Sequence, residues 1–230
     1  MQQRRQIINN RNILIFTIIM IVGWGLMRAS INKEQVAKRK SGYPVMELIL
    51  QRWSSRAMSG ELLTNSELMT IFEAARWAPS SYNNQPWRFI YAIKNSPEWN
   101  SIFNLLVPFN KLWAKNAAAL VVIISANKFT HNNEPSPTHS FDTGAAWANM
   151  ALQGTSMGLV MHAIEGFDYQ KAREELKIPD GFTIEAMLAI GKPARKEVLP
   201  LELQEKEVRS GRRPITELIA EGSFEDKLAQ

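Results

Sequence analysis

The sequence predicts one α+β domain, with a sheet flanked by helices, behind a separate N-terminal segment. Helix-like and strand-like patterns are interspersed along the 230 residues without an internal repeat. A hydrophobic fraction of 45% is enough to bury one sizeable core. An apolar run and most of the excess positive charge lie together in the first 40 residues, outside the predicted domain.

Charge and cysteine content exclude several classes of protein. Residues 1–40 hold eight of the 27 Lys and Arg but one of the 22 Asp and Glu, so residues 41–230 carry 19 basic and 21 acidic side chains. The net charge of +5 therefore does not describe the domain, and we exclude a nucleic-acid-binding function. The absence of cysteine excludes disulfides, thiolate catalysis and cysteine-ligated metals.

The N-terminal segment is predicted to attach the chain to a membrane. Residues 1–12 are a basic tail, and Ile13–Met27 is a run of fifteen residues without a charge. Such a helix covers roughly 22 Å of the ~30 Å hydrocarbon core, which suits a short anchor. Residues 28–44 are a polar, basic linker, and the charge bias favours a cytoplasmic domain. A cleaved signal peptide of an exported protein stays open, as does a start at Met46 that would give a soluble cytoplasmic form.

The predicted domain begins with helices. The apolar pattern of residues 45–53 suits a buried helix. Thr64-Asn-Ser-Glu67 matches a capping box and predicts a helix from there to Trp77. Residues 141–158 predict a helix with small side chains that permits close helix packing. The strands of one sheet are predicted at 88–93, 118–124 and 183–190, and residues 126–138 form a polar loop. A charged arm with little core of its own follows Pro193.

The most informative stretch joins the second helix to the first strand. Pro79 ends the helix, and Pro86-Trp87 re-enters the core. Between them, hydroxyl and amide groups crowd a short loop, at Ser80, Ser81, Asn83, Asn84 and Gln85. This density predicts a loop that holds a flat, polar ligand.

Two other motifs carry candidate binding groups. Arg52-Trp53-Ser54-Ser55-Arg56 offers two guanidiniums and two hydroxyls, which suit a phosphate, although a solvated basic helix end also has this pattern. The apolar run from Gly158 ends abruptly at Glu165-Gly166, which places a carboxylate and a flexible backbone at a sheet edge or marks a plain strand exit.

The remaining polar residues are weaker candidates. Asn110 precedes or opens a helix, where a cap is the usual role. Asp142 and the three histidines lack metal-ligand spacing, so no metal is expected, and His162 suits a core residue with its polar atoms satisfied. The chain has no G-x-G-x-x-G motif or P-loop, so a nicotinamide cofactor would not bind on a Rossmann unit.

These motifs, in this order, resemble those of the nitroreductase family. Ala78–Trp87 resembles the flavin-edge loop A-P-S-x-x-N-x-Q-P-W, and Arg52–Arg56 resembles the phosphate clamp R-R-S-x-R, with Trp53 in place of the usual Arg or His. Gly158–Phe167 follows G-L-x-x-x-x-x-E-G-F, and Arg212–Glu217 resembles the terminal R-x-P-L-x-E. The resemblance covers about Val45 to Glu221.

The resemblance implies a fold and an assembly. The family has a central, mostly antiparallel sheet flanked by helices, in a homodimer whose C-terminal arms are swapped between subunits. Residues 45–222 would form this FMN-binding domain, and residues 223–230 a C-terminal tail. The small-sided helix 141–158 and the arm 199–222 both suit contact with a partner.

The resemblance also implies the cofactor and its contacts. Arg52, Ser54 and Arg56, together with Trp53, would hold the FMN phosphate and ribityl chain, and Arg212 would return to the phosphate. The flavin would lie against the loop residues Pro79, Ser80, Ser81, Asn83 and Gln85. Asn110 would bond the pyrimidine edge, and Glu165-Gly166 would lie beside the isoalloxazine, with a backbone N–H near N5.

An enzymatic function follows from the resemblance. The chain would transfer hydride from the co-substrate NAD(P)H through FMN to a nitroaromatic, a quinone or a similar small electrophile, by a ping-pong mechanism, with no catalytic side chain. The alternatives are a membrane-anchored flavin dehalogenase of the same superfamily and a flavin-binding sensor without turnover. Gln85-Pro-Trp argues against the dehalogenase, in which Glu-Pro-Trp is expected.

Overall fold

The computed structural model describes residues 39–224 and residue 228. The predicted tail 1–12, the predicted anchor 13–27 and most of the linker 28–44 lie outside the described residues. Within the described part of the chain, none of the helices has the length and hydropathy that a bilayer crossing needs.

Within residues 39–224, four strands form one sheet, and every neighbouring pair is antiparallel. The strands are β1 (Trp87–Ile93), β2 (Ala119–Ala126), β3 (Val160–Ile164) and β4 (Phe182–Gly191). Their order across the sheet is β1-β2-β4-β3. Seven of the eight residues of β2 are buried, as expected for an apolar strand covered on both faces. The predicted α+β fold with an antiparallel sheet is confirmed.

Short helices connect and cover the strands. They are α1 (Glu47–Gln51), α2 (Asn65–Arg76), α3 (Trp99–Phe103), α4 (Pro108–Ala114), α5 (His139–Ser156), α6 (Tyr169–Glu175) and α7 (Leu201–Gln204). Single 3-10 turns lie at Ser81–Asn83, Lys196–Val198 and Ile215–Glu217.

The predicted capping box sets the start of α2. Thr64 Oγ1 accepts from the backbone N–H of Glu67, and the Glu67 carboxylate accepts from the backbone N–H of Thr64 at 2.8 Å. Leu68, Ile71 and Ala75 then form the buried face of the helix. The helix ends at Arg76, shortly before the polar loop that begins at Pro79.

The core has two layers, one on each face of the sheet. Leu120, Val122 and Ile124 of β2 pack in the layer that contains Trp113. The residues that alternate with them along β2 face the other layer, which contains α2 and α5, because successive side chains of a strand point to opposite faces of the sheet. A Cβ atom at Gly154 of α5 would clash with Met161 Sδ, so this helix approaches the sheet closely.

The opening helix and the arm leave apolar side chains uncovered. The prediction that residues 45–53 form a buried helix is wrong for the single chain, because α1 is short and has no buried residue. Val45, Met46 and Ile49 are exposed. Within the described arm, Leu199 and Leu203 alone are buried, whereas five other apolar side chains are exposed, at Leu201, Val208, Ile215, Leu218 and Ile219.

Candidate functional site

Guanidinium groups from three separate segments meet at the end of α1. Arg39 Nη1 donates to the carbonyl oxygens of Arg52 at 2.7 Å and Leu50 at 3.3 Å. Arg209 Nη1, from the arm, donates to the same Leu50 oxygen at 3.4 Å. Arg52 Nη1 lies 3.4 Å from Ser54 Oγ. These bonds satisfy carbonyls that a helix end leaves without intrahelical partners.

We define Arg39, Arg52, Arg209 and Arg212 as the arginine cluster, whose charges the described residues offset incompletely, since Glu47 attracts Arg209 without forming an ion pair with it. Burial, followed by the charges of Arg39 and Arg212, lowers the pKa of Arg52. Burial is also the main cause of the lowered pKa values of Arg39 and Arg209. None of the ion pairs in the described part of the chain involves a member of the cluster. Such a cluster favours a multiply charged anion.

Unpartnered donors strengthen this interpretation. The Nε atoms of Arg39, Arg209 and the neighbouring Arg56 are buried without a hydrogen-bond partner. A buried donor that lacks a partner costs free energy, and a ligand that supplies an acceptor recovers it. Arg52 and Ser54 are thus in contact, and Arg212 is close enough to perturb Arg52, whereas the Arg56 side chain lies near enough to His162 to lower its pKa.

Glu207 fixes the backbone of this segment, and the sequence analysis did not identify it. Its Oε1 accepts from Ser55 Oγ at 2.5 Å, Arg56 N at 2.8 Å and Ala57 N at 3.0 Å. Because Glu207 is one acid among many in a charged arm, no local pattern marks it. The carboxylate thus attaches the arm to the phosphate motif without touching the arginine cluster.

His162 supports the same segment from the sheet. Its Nδ1 lies 2.9 Å from the Ser55 carbonyl oxygen, and its ring packs on Trp113 with centroids 4.5 Å apart. Burial is the main cause that lowers the pKa of His162 to about 4, so the imidazole is neutral at pH 7. His162 is thus a packed side chain whose Nδ1 has a partner, as the interpretation requires, although it is half-buried and lies at the edge of the core.

The loop from Pro79 to Gln85 has an unusual backbone. Three residues without the freedom of glycine have positive φ, namely Tyr82 at 53°, Asn83 at 53° and Gln85 at 49°. Such conformations cost of order 1–3 kcal/mol each and persist where surrounding contacts enforce them. They point to a loop shaped for binding rather than for stability.

Two groups that sequence reasoning underrated hold this loop. Asp142 at the start of α5 is buried, and its Oδ2 accepts from the backbone N–H of Ser81 at 3.0 Å. Buried Asn84 donates to the Lys128 carbonyl and accepts from the Thr130 backbone N–H at 2.8 Å. The loop is thus tied to α5 and to the polar loop 126–138.

The remaining loop side chains are partly used within the loop. Ser80 Oγ accepts from the backbone N–H of Gln85 at 3.0 Å, and Gln85 Nε2 donates to the Asn83 carbonyl at 3.0 Å. Pro79, Tyr82 and Asn83 are exposed. Ligand contacts from this loop would therefore come from exposed side chains and backbone groups.

Asn110 and Gly166, predicted from distant motifs, are in direct contact. Asn110 lies inside α4, and its Nδ2 donates to the Gly166 carbonyl at 2.9 Å; Val107 at the helix N-cap donates to the same oxygen at 3.2 Å. Asn110 is therefore not the helix cap. Glu165 beside it is exposed. Together these residues form a turn with a fixed peptide plane and a free carboxylate.

A chain of contacts joins this turn to the phosphate motif. Trp113 Nε1 donates to Asn110 Oδ1 at 3.3 Å, and the Trp113 ring packs on His162, which contacts Ser55. One buried aromatic side chain thus links two candidate binding regions.

The histidines lie apart. His131 packs near Tyr82 and Phe129, and His139 Nδ1 lies 2.7 Å from Ser125 Oγ. Among the described residues, no group of three or more His, Asp or Glu is placed to hold a metal ion.

Comparisons with known proteins identify a family and a fold. A family model described as the nitroreductase family matches residues 49–99 and 105–192. A crystal structure of an oxidoreductase containing FMN is 45% identical, with a TM-score of 0.78 over 81% of this chain and 96% of that chain. A candidate nitroreductase from Desulfovibrio desulfuricans, solved in complex with FMN, is 25% identical, with a TM-score of 0.62 over 80% of this chain and 100% of that one. A candidate NADH dehydrogenase/NAD(P)H nitroreductase from Archaeoglobus fulgidus is 25% identical over 152 residues, covering 64% of this chain and 84% of its own length.

Proposed function

This chain belongs to the nitroreductase family, and on that premise we propose that it reduces nitroaromatics, quinones or similar small electrophiles by a ping-pong mechanism. It is an NAD(P)H-dependent oxidoreductase with FMN as its cofactor. The acceptor class and the ping-pong order, in which reductant and acceptor use one site in turn, are the proposed part.

The observation that carries the proposal is the incompletely neutralised arginine cluster beside the R-W-S-S-R motif. FMN ends in a phosphate monoester with close to two negative charges at neutral pH, and guanidiniums bind such a group through paired hydrogen bonds. The FMN phosphate would supply acceptors to the buried Nε atoms that have no hydrogen-bond partner. The residues therefore fit FMN, with Arg52, Ser54, Arg56 and Arg212 on its phosphate and ribityl end and Trp53 packed beside them.

The flavin ring would be held by the two other regions. Asn110, Glu165 and Gly166 lie together and offer an amide, a carboxylate and backbone groups. The loop residues Pro79, Ser80, Ser81, Asn83 and Gln85 offer polar groups on a backbone fixed by Asp142. Because Gly166 has no side chain, Asn110 packs directly against the backbone of the turn and fixes the peptide groups that the flavin ring would face.

The protein's part in the mechanism is to bind and orient. When bound, FMN supplies the redox chemistry, taking hydride from NAD(P)H and delivering electrons to the acceptor. The arginine cluster fixes the phosphate end, and Asn110 fixes the Gly166 peptide plane. We assign no nucleophile or obligatory acid to any side chain, so the substrate range depends on which flat electrophiles the site admits.

We propose that a second copy of the chain covers the exposed apolar side chains of α1 and the arm. Uncovered apolar patches of this kind indicate a protein interface. In this assembly the arm of residues 199–222 wraps the other subunit. Sedimentation of the full chain tests it, because a monomer at micromolar concentration would contradict the homodimer.

The organisation along the chain is also a proposal. Residues 45–222 form the FMN domain and 223–230 a tail. The basic tail 1–12, the membrane anchor 13–27 and the basic linker 28–44 stay predictions, as does the cytoplasmic position of the domain.

An anaerobic absorbance titration of the purified full chain tests the function. We expect a flavin band that NADPH or NADH bleaches and that a quinone or a nitroaromatic restores. A bound flavin that ignores both nicotinamides would favour the dehalogenase or the sensor. Failure to bind FMN after reconstitution would contradict the assignment of the site.

A further inference from the structure

Arg39 lies outside the segments matched by the family model, yet it is part of the arginine cluster. The matched segments begin at residue 49, and the position of Arg39 falls in the basic linker. Its guanidinium bonds the carbonyl oxygens of Leu50 and Arg52, the first residue of the R-W-S-S-R motif. The linker is therefore attached to the domain at the candidate phosphate site.

Arg209 approaches the same place from the arm. It donates to the Leu50 carbonyl at 3.4 Å, and its guanidinium carbon lies 5.5 Å from the centre of the Trp53 ring. Arg39 and Arg209 each have one Nη1 atom bonded to backbone and a buried Nε without a partner. Each guanidinium therefore has a donor left to offer to a ligand.

Like charges make this arrangement unfavourable without an anion. After burial, the charge of Arg212 lowers the pKa of Arg39, and the charges of Arg39 and Arg52 lower that of Arg209, where the charge of Glu47 offsets a part of the repulsion. Arg39 of the linker and Arg209 of the arm are thus both repelled by other arginines of the cluster. An anion bound among them would replace repulsion with attraction on every segment at once.

We propose that Arg39 and Arg209 complete the phosphate site, so that docking of linker residues 39–44 and binding of the FMN phosphate stabilise each other. This inference rests on the proposed placement of the FMN phosphate at Arg52 and Arg56. Coupling of this kind is reciprocal, since the factor by which docking tightens FMN binding is the factor by which FMN tightens docking. The cofactor would then hold the linker against the domain.

Binding of FMN and of riboflavin, which lacks the phosphate, to the full-length apoprotein tests the inference. We expect Arg39→Ala and Arg209→Ala each to weaken FMN binding about tenfold, the effect of losing one charge-assisted hydrogen bond, and to change riboflavin binding less than about twofold. Lys40→Ala, at the exposed neighbouring residue, is the matched control and should leave both affinities unchanged.

Tryptic cleavage provides a second measurement, which begins with the wild-type chain. FMN should slow cleavage of the wild-type chain after Arg39 and Lys40, and riboflavin should not. In Arg39→Ala the protection at Lys40 should be lost.

Three outcomes would overturn the inference. Unchanged FMN affinity in both variants would show that Arg39 and Arg209 are not part of the phosphate site. An equal loss of affinity for FMN and riboflavin would show that their role is structural. Equal rates of cleavage with and without FMN would show that docking of the linker and binding of FMN are not coupled. Each of these can occur while the wild-type chain binds FMN, whereas failure of the wild-type chain to bind FMN would overturn the proposed function as well.

Discussion

The side-chain amide of Asn110 donates a hydrogen bond of 2.9 Å to the carbonyl oxygen of Gly166. A Cβ atom at Gly166 would lie 2.7 Å from Asn110 Nδ2 and 3.3 Å from Val107 Cγ2. Asn110 can therefore hold the turn because Gly166 has no side chain.

Gly166→Ala should destabilise the protein by about 1–3 kcal/mol, because the new methyl group must displace the Asn110 amide. In an Asn110→Ala background the same change should cost about 1 kcal/mol less, since the closest contact is gone. Urea denaturation of the two single variants and the double variant measures this coupling. Strictly additive costs would show that Asn110 is not what excludes a side chain from the turn.

Replacing Arg52 and Arg56 together with alanine should abolish FMN retention. Two charge-assisted hydrogen bonds of about 1.5–3 kcal/mol each correspond to at least a 100-fold loss of affinity. The flavin absorbance of the purified protein, followed by FMN titration, measures it. The matched control replaces two exposed arginines elsewhere, Arg76 and Arg195, and should keep its flavin. A yellow Arg52/Arg56 double variant with wild-type affinity would contradict the phosphate assignment.

Glu207→Ala should weaken both stability and FMN binding. It leaves the Ser55 hydroxyl and the Arg56 backbone N–H without their acceptor, which costs about 1–3 kcal/mol for a buried donor, while the Ala57 N–H keeps Ser55 Oγ as an acceptor. Glu207→Gln keeps an acceptor oxygen in the same position and should retain most of both properties. Thermal unfolding with and without FMN distinguishes the two variants. Equal losses of Tm in Glu207→Ala and Glu207→Gln would show that the charge of the carboxylate matters and that its role as an acceptor does not.

Titration of His162 should make the fold sensitive to mild acid. Its pKa is lowered to about 4 from 6.5, so its contribution to stability is complete above pH 6.5 and is lost as the pH falls towards 4. The loss amounts to roughly 3 kcal/mol at pH 4, at about 1.36 kcal/mol for each pKa unit. Denaturant unfolding at pH 7 and at pH 4.5 should therefore show a smaller pH dependence in His162→Gln, which does not titrate. The same pH dependence in both proteins would rule out this role.

Asp142→Ala should loosen the loop from Pro79 to Gln85 without unfolding the domain. The Ser81 backbone N–H and the Thr138 hydroxyl both lose their acceptor, Asp142 Oδ2. We expect faster hydrogen exchange at the Ser81 amide and weaker FMN binding, while Asp142→Asn keeps an acceptor oxygen and changes both less. Unaltered exchange at Ser81 would show that other contacts hold the loop.

Local patterns predicted most of the fold. The capping box at Thr64 and Glu67 involves neighbours in sequence, and the strands follow from short apolar runs. The small side chains of α5 predicted close helix packing, and at Gly154 they allow the helix to lie close to the sheet. The buried helix at 45–53 was wrong, because an apolar pattern shows that a helix needs a partner and does not show that the same chain supplies it.

The site was predictable as motifs but not as a network. The R-W-S-S-R segment and the Glu165-Gly166 turn could be read from the sequence, whereas Glu207, Asp142 and Arg39 act on residues far away in the chain. A single acid or arginine carries no local signal for such a contact. The tertiary structure alone brings these partners together.

The order of strands in the sheet has a consequence for biosynthesis. β4 is the last strand along the chain, yet it lies between β2 and β3. Until Gly191 has left the ribosome, the apolar strand β2 has β1 as a neighbour on one side and an open edge on the other. The non-local pairing of β2 with β4 makes folding slow and leaves an edge that can pair with another nascent chain. We therefore expect protection by chaperones to matter most while residues 127–191 are being synthesised.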